Sequence, residues 1–390
     1  MFNPLKGNIK IPELPLYSLL LKNAEIRKSQ PLMVFYNKYI TYHRFLSYIN
    51  SMAFKLKSDL NTSENDIILI MLDNSPEFII SVFSLIKINA VALIIDNDIP
   101  YDKLNDIIIK YNIKLFITCK KYYNKFNYNN IKYIISDIND FLTLGKAIKN
   151  SIHNHTKIKY NKNTLKFYDF IYSDNNIKDV FSITDPRILF ISNEKILAFT
   201  EKNLISSAIT LNYWLPKIDK RPYFFSGLST STPIGFIYSL LLPVTFSGTI
   251  IVDDLKHLNR NDPDFIIGDS ILYDSIIKKK MDLNDINYLI SPYHDSEIFN
   301  SIKTYADKDL ISGFSMDEII TSHMNPFYDI RDNSIGLILS NVNCRFENDV
   351  MLIKSDQMPS YLLYDTYIKN DEWFNTNKKM IIKDDYFYPE

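Results

Sequence analysis

Apolar positions along this chain alternate between short unbroken runs and stretches spaced three or four residues apart, and that alternation predicts the architecture. Asp66–Leu72, apolar from Ile67 onward, reads as a strand of the continuous apolar type that parallel sheets bury on both faces. Asn74, Ser75 and Pro76 follow, with Ser75 placed as an N-cap and Pro76 at the first helical position. Ile79, Val82, Phe83 and Ile86 then recur at helical spacing. A second run at Ala90–Ile95, a proline turn at Pro100, a helix through Leu104, Ile107, Ile108 and Tyr111, and a third run at Lys114–Thr118 complete two βαβ units. Upstream, Pro31–Lys57 contains an extended segment, Leu32–Asn37, then Thr41 and a helical pattern through Phe45, Ile49, Met52 and Leu56. The result is a doubly wound α/β subdomain.

Beyond it, Lys120–Phe181 is polar and rich in Asn, Lys and Tyr, predicting an irregular surface region with one strand near Ile131–Ile135. His153 and His155 alternate as ligands on a strand can, but nothing nearby supplies a third ligand. Ile188–Ile191 reads as a buried strand, and a helix begins at Thr200. A strand leading to a helix is where α/β proteins often wrap a phosphate with glycine-rich backbone. Here the connection offers Ser192, Asn193, Glu194 and Lys195 without a glycine, and Glu194 sets a carboxylate beside any anion. It reads as an ordinary short turn in which Lys195 can meet phosphate only as a point charge. The Ser/Thr cluster from Ser226 to Thr232 reads as loop and cap chemistry. Asn333–Asp365 alternates short strands and turns, predicting a small distorted β-barrel.

Composition sharpens the picture in one respect. The 390 residues include 8 glycines, where average usage gives about 27, so several intact nucleotide loops are not expected. With 44 basic and 45 acidic residues, charge gives no reason to expect a nucleic-acid partner. Cys119 and Cys344 are too few for a disulfide framework or a zinc site, which makes cytoplasmic residence the default. Neither a leader pattern nor a run long enough to cross a bilayer is present.

The order of residues from Asp66 to Thr118, opening on the run NSPEF at Asn74–Phe78, resembles the first half of the AMP-forming acyl-CoA synthetases, within the adenylate-forming superfamily. Later segments follow in that family's order. Phe224–Asp253 fits through Gly235, Pro243 and Gly248, and GFSMDEII at Gly313–Ile320 resembles Gly-Tyr-Gly-x-Thr-Glu. DEWFNTNKK resembles Gly-Trp-Phe-x-Thr-Gly-Asp through Trp373, Phe374 and Thr376. The resemblance implies an acyl-CoA-synthetase-like lobe divided as a first α/β subdomain (1–180), a second (181–330), a small β-barrel (331–370) and a hinge remnant (371–390), with the family's C-terminal domain lacking. It places Ser192 and Lys195 at the phosphate loop, Ser291 at the adenine turn, Phe314 on the adenine ring and Glu318 at magnesium.

The departures are as informative as the matches. The Ser/Thr/Gly-rich loop ending in Pro-Lys-Gly is reduced to Ser192–Lys195, and Glu201 stands where the family often has histidine. Pro292, Tyr293 and His294 crowd the adenine turn, Asp317 replaces a threonine, and Asn377 and Lys378 replace the Gly-Asp that holds ribose. A lysine cannot accept a hydroxyl hydrogen bond. The Asp317–Glu318 pair also suits a helix start. The resemblance therefore implies a catalytically degenerate relative that binds a small carboxylate, an acyl-adenylate or a protein partner such as a paralogue. The alternative is an active ATP- and magnesium-dependent carboxylate (fatty acid)–CoA ligase with an unusual phosphate loop or a separately supplied C-terminal domain.

Overall fold

The computed structural model describes residues 7–128, 130–147, 158–172, 177, 184–192, 195–363, 366–368 and 373–390. His153, His155, Asn193 and Glu194 lie outside the described residues. The chain divides into two compact units, one of Leu14–Glu201 with Ser360–Ile368, the other of Met1–Glu13, Lys202–Pro359 and Lys369–Glu390. This partition differs from the one drawn at 180, 330 and 370 along the sequence.

In the Leu14–Glu201 unit, Ile67–Met71 pairs in parallel with Val91–Ile94 on one side and Leu115–Cys119 on the other. The parallel sheet continues outward through Pro186–Ser192 beyond Val91–Ile94, and through Lys132–Ser136 and Thr164–Lys166 beyond Leu115–Cys119. Chain order thus reverses between Ile67–Met71 and Leu115–Cys119, a topological switch point. The three runs read as buried strands are buried because helices cover both faces. Every residue of the helix Pro76–Lys87 is buried, including Glu77 and Lys87 near its ends, and a helix so largely apolar belongs inside a core. Ser75 caps it, its side chain accepting from the Phe78 amide, with Pro76 in the first turn. Thr41 caps the helix Tyr42–Ser58 in the same way.

One element of this unit was missed in the sequence. Lys195–Thr200 is a strand, antiparallel to Pro186–Ser192, and the helix that follows is Glu201–Trp214. The connection read as a strand-to-helix turn is therefore a hairpin. Its cause is the run Ile196–Phe199, all four buried, which lacks the glycine or proline that would have marked it off from the helix. Ser360–Leu363 adds to the outer edge of Lys195–Thr200 and carries Thr366–Ile368 beside it.

The other unit has its own parallel sheet. Tyr223–Ser226 lies between Thr249–Val252 and Phe265–Ile267, followed by Tyr288–Ser291 and Leu310–Met316. Two antiparallel strands, Ile320–Met324 and Leu337–Ile338, extend it. The region read as a small barrel carries an antiparallel sheet of Val342–Glu347, Val350–Ser355, Phe374–Lys383 and Tyr386–Pro389. Its last two strands come from the segment read as a hinge, held in place because Met380, Tyr386 and Phe387 are buried. Among the described residues no helix is long and apolar enough to cross a membrane.

Candidate active-site positions

Where the sequence resemblance puts the phosphate loop, the hairpin register runs to Ser192 opposite Lys195, leaving two residues to connect the strands. A two-residue β-hairpin spends its backbone on the ladder and cannot curl around a triphosphate. Ser192 is buried, whereas Lys195 is exposed with its ammonium 5.1 Å from the centroid of the Tyr361 ring. Six residues further on, Glu201 is fully buried, and its Oε2 accepts the backbone N–H of Leu16. Leu16 opens a helix, Leu16–Ile26, whose own N-cap is Pro15 and offers no side-chain bond. A carboxylate there meets an orphan amide and the positive end of the helix dipole. Burial nevertheless pushes the Glu201 carboxyl up to about 7, with the Leu16 amide and Arg187 pulling the other way. This cap was not found in the sequence, because its partner lies 185 residues away.

The remaining predicted positions belong to the other unit. Ser291 ends the strand Tyr288–Ser291, directly opposite Ser312 of the strand that carries Phe314. Its hydroxyl is absorbed locally, donating to the Tyr293 carbonyl (2.8 Å) and accepting the Tyr293 amide (3.2 Å). Phe314 is half-buried, opposite His323 in the next strand. Asp317 and Glu318 occupy the tight turn between Leu310–Met316 and Ile320–Met324, closed by the Ile319 amide on the Met316 carbonyl (3.0 Å). They do not start a helix, because Ile319 and Ile320 return directly into a buried strand pair. Ile320 sits at φ 55°, in the left-handed region that β-branched residues avoid. Strain of this kind, worth about 1–3 kcal/mol, persists only where surrounding structure enforces it. Here a buried hydroxyl chain does so: Tyr238 Oη to Thr321 Oγ1 (2.9 Å) and Ser315 Oγ to Thr321 Oγ1 (2.9 Å).

The Ser226–Thr232 cluster is largely consumed by its own fold. Ser226 bonds Ser239 (2.7 Å), Ser229 bonds Ser231 (2.7 Å), and Thr232 caps the Gly235 amide (3.1 Å). Gly235 is required there, since a Cβ would lie 1.8 Å from the Ser229 carbonyl oxygen. In the segment that the resemblance aligns with ribose binding, Thr376 donates to the Met351 carbonyl (2.7 Å) and Asn377 takes a left-handed conformation. Among the described residues, three side chains of metal-binding type converge at Asp253, Asp254 and His257, and Glu318 is not in that group. His257 Nδ1 lies 3.0 Å from Asp253 Oδ1, and Asp254 pairs with Lys256 at 3.2 Å.

The structure thus joins Ser192 with Lys195 in one unit, and Ser291, Phe314 and Glu318 on neighbouring elements of the other. Comparison with known proteins gives these positions a context. The sequence profile of the AMP-binding enzyme family matches residues 20–170. No curated protein matches the chain by sequence. Among solved structures, the coronafacic acid ligase of Pectobacterium brasiliense superposes with a TM-score of 0.82 at 17% identity, over 96% of this chain and 78% of that one. An anthranilate CoA ligase in complex with anthranoyl-AMP gives 0.83 at 15% identity, over 98% and 79%. A benzoate CoA ligase from Burkholderia xenovorans gives 0.80 at 13% identity, over 96% and 79%. The chain therefore matches the AMP-binding enzymes over residues 20–170 and, through almost its whole length, has the fold of the acyl-CoA ligases.

Proposed function

We propose that this protein is a cytoplasmic, ligand-binding relative of the adenylate-forming ligases with little or no adenylation activity. The observation that carries the reading is the pairing of Ser192 with Lys195, which leaves two residues where a triphosphate needs an enclosing loop. Activating a carboxylate with ATP relies on backbone N–H groups, a lysine and Mg²⁺ stabilising charge on the transferring phosphoryl group. Loss of one such donor typically costs about 10²- to 10³-fold in rate. The residues present do not fit the triphosphate: the two strands are paired as far as Ser192 and Lys195, and Lys195 is the sole cation of the connecting sequence. Nor do Asn377 and Lys378 offer a carboxylate to ribose.

The ligand class follows from the relatives. One of them is a complex with anthranoyl-AMP, which makes a small carboxylate or its acyl-adenylate the first candidate here, with a protein partner such as an active paralogue as the second. For the alternative of an active ligase, which would use ATP, magnesium and CoA, the resemblance assigns Ser192 and Lys195 of one unit to phosphate and, separately, Ser291, Phe314 and Glu318 of the other to nucleotide and magnesium.

Calorimetric titration of the full chain with Mg²⁺-ATP and with a non-hydrolysable acyl-adenylate tests this. The expected result is no saturation by Mg²⁺-ATP in the micromolar range and no AMP released from ATP with a carboxylate panel. Micromolar Mg²⁺-ATP binding that Lys195→Ala and Glu318→Ala both weaken, accompanied by AMP release, would overturn the reading in favour of an active ligase.

A further inference from the structure

The switch point in the Leu14–Glu201 unit opens into a crevice of about 480 Å³ at the carboxyl ends of Ile67–Met71, Leu115–Cys119 and Lys132–Ser136. Open α/β sheets bind small molecules in this place, and the volume suits one. The NSPEF run supplies part of its wall, through Asn74, Ser75 and Glu77. Loop residues Ser136–Asn139 face it, and apolar surface comes from Phe35, Leu72 and Ile138.

Its chemistry is asymmetric. Lys120 is joined to Asp137, and Lys121 lies 3.9 Å from Asp73, so both ammonium groups of the wall already have carboxylates. The start of the helix Pro76–Lys87 has little to offer an anion, since Pro76 has no N–H and the Phe78 amide is spent on Ser75 Oγ (3.2 Å). Glu77 is the group left wanting. Its side chain is 2% exposed, it lines the crevice, and Oε2 has no hydrogen-bond partner. Burial pushes this carboxyl up to about 8; its own backbone amide and the Ser75 side chain pull it back, and Asp140 and Asp137 add to the rise. A buried acceptor without a donor costs about 1–3 kcal/mol, and more when charged.

We infer that this crevice binds a small primary amine, whose ammonium donates to Glu77 Oε2 while its apolar body packs against Phe35, Leu72 and Ile138. The amine supplies the donor that the fold withholds from Oε2 and a cation for Glu77, whereas Asp137 and Asp73 of the wall already have Lys120 and Lys121. An anion meets Glu77, Asp73 and Asp137 without a free cation. The inference stands apart from the fate of the nucleotide pocket.

The test uses the full chain with tyramine and, as a carboxylate of similar size, 4-hydroxyphenylacetate. Saturation-transfer NMR and calorimetry should show one saturable tyramine site and none for the carboxylate. Tyramine should also slow iodoacetamide labelling of Cys119, which lines the crevice, without slowing labelling of Cys344. At about pH 8.5, where the Glu77 carboxyl is ionised, Glu77→Gln should weaken tyramine at least about tenfold, the loss expected of a charge-assisted bond. Because Glu77 is buried, Asn124→Trp is the second variant; Asn124 is an exposed rim residue, and the indole should block tyramine while leaving the circular dichroism spectrum unchanged. Equal binding of the carboxylate, tyramine binding that survives Asn124→Trp, or no saturable tyramine site up to 10 mM would each overturn the proposal.

Discussion

Glu201 offers a quantitative check on the buried electrostatics of the Leu14–Glu201 unit. Glu201→Gln keeps an acceptor for the Leu16 amide and removes the titrating proton. In the native protein the carboxyl sits at about 7, raised from 4.5. The folded state therefore holds its proton more tightly than the unfolded chain does. Stability from this group is fully present below about pH 4.5 and is lost as pH rises through about 7. At 1.36 kcal/mol per pH unit, the difference between pH 5 and pH 8 comes to about 2–3 kcal/mol. The glutamine carries no such dependence. Urea unfolding of both proteins, followed by circular dichroism at pH 5, 6, 7 and 8, should show the variant gaining on the wild type by that amount, most of it between pH 5 and 7. A wild-type-to-variant difference that stays constant across the series would mean that Glu201 is solvated, and the capping argument would fail with it.

Other substitutions probe separate features. His323 is fully buried and its imidazole is pushed down to about 3; stability from this group is present above about pH 6.5 and is lost as pH falls toward 3, so His323→Leu should lose about 3 kcal/mol less than wild type between pH 7 and pH 4. Gly336→Ala places a Cβ 2.0 Å from the Met324 carbonyl carbon at φ +90°; soluble expression should fall sharply, or the unfolding free energy should drop by more than about 3 kcal/mol. Trp214→Phe removes the buried indole bond to the Asn325 carbonyl (3.1 Å) and should cost about 1–2 kcal/mol in urea unfolding. Ser75→Ala, which removes the cap of the buried helix Pro76–Lys87, should cost about 1 kcal/mol by the same measurement.

What the sequence made legible was local. Asp66–Leu72, Ala90–Ile95 and Lys114–Thr118 were read as parallel strands because unbroken apolar runs have one economical home, a sheet covered on both faces. Ser75 and Pro76 marked a helix start by side-chain chemistry that needs no distant partner. Pairings across the chain left no such trace. Lys195–Thr200 became a strand through Pro186–Ser192 before it and Ser360–Leu363 after it. Glu201 acquired its role from Leu16, and the helix read at Asp317–Glu318 was overruled by the register of two strands. At the candidate site, residue identities were readable and their engagements were not. Ser291 looked available until the structure showed its hydroxyl spent on Tyr293, and the unpartnered oxygen of Glu77 emerges only once the helix Pro76–Lys87 is buried.

The joining of Ser360–Leu363 to Lys195–Thr200 sets a timetable for synthesis. When the ribosome has made residue 201, the sheet has a strand with one open edge, and its neighbour is roughly 160 residues from being made. At about 5–20 residues per second, that edge waits on the order of 10–30 s with ladder groups free to pair with another nascent chain. Of the strand's six residues, the four from Ile196 to Phe199 are apolar, and only Lys195 and Thr200 at its ends are polar. A chain halted anywhere between 202 and 359 should therefore be the aggregation-prone species of this protein.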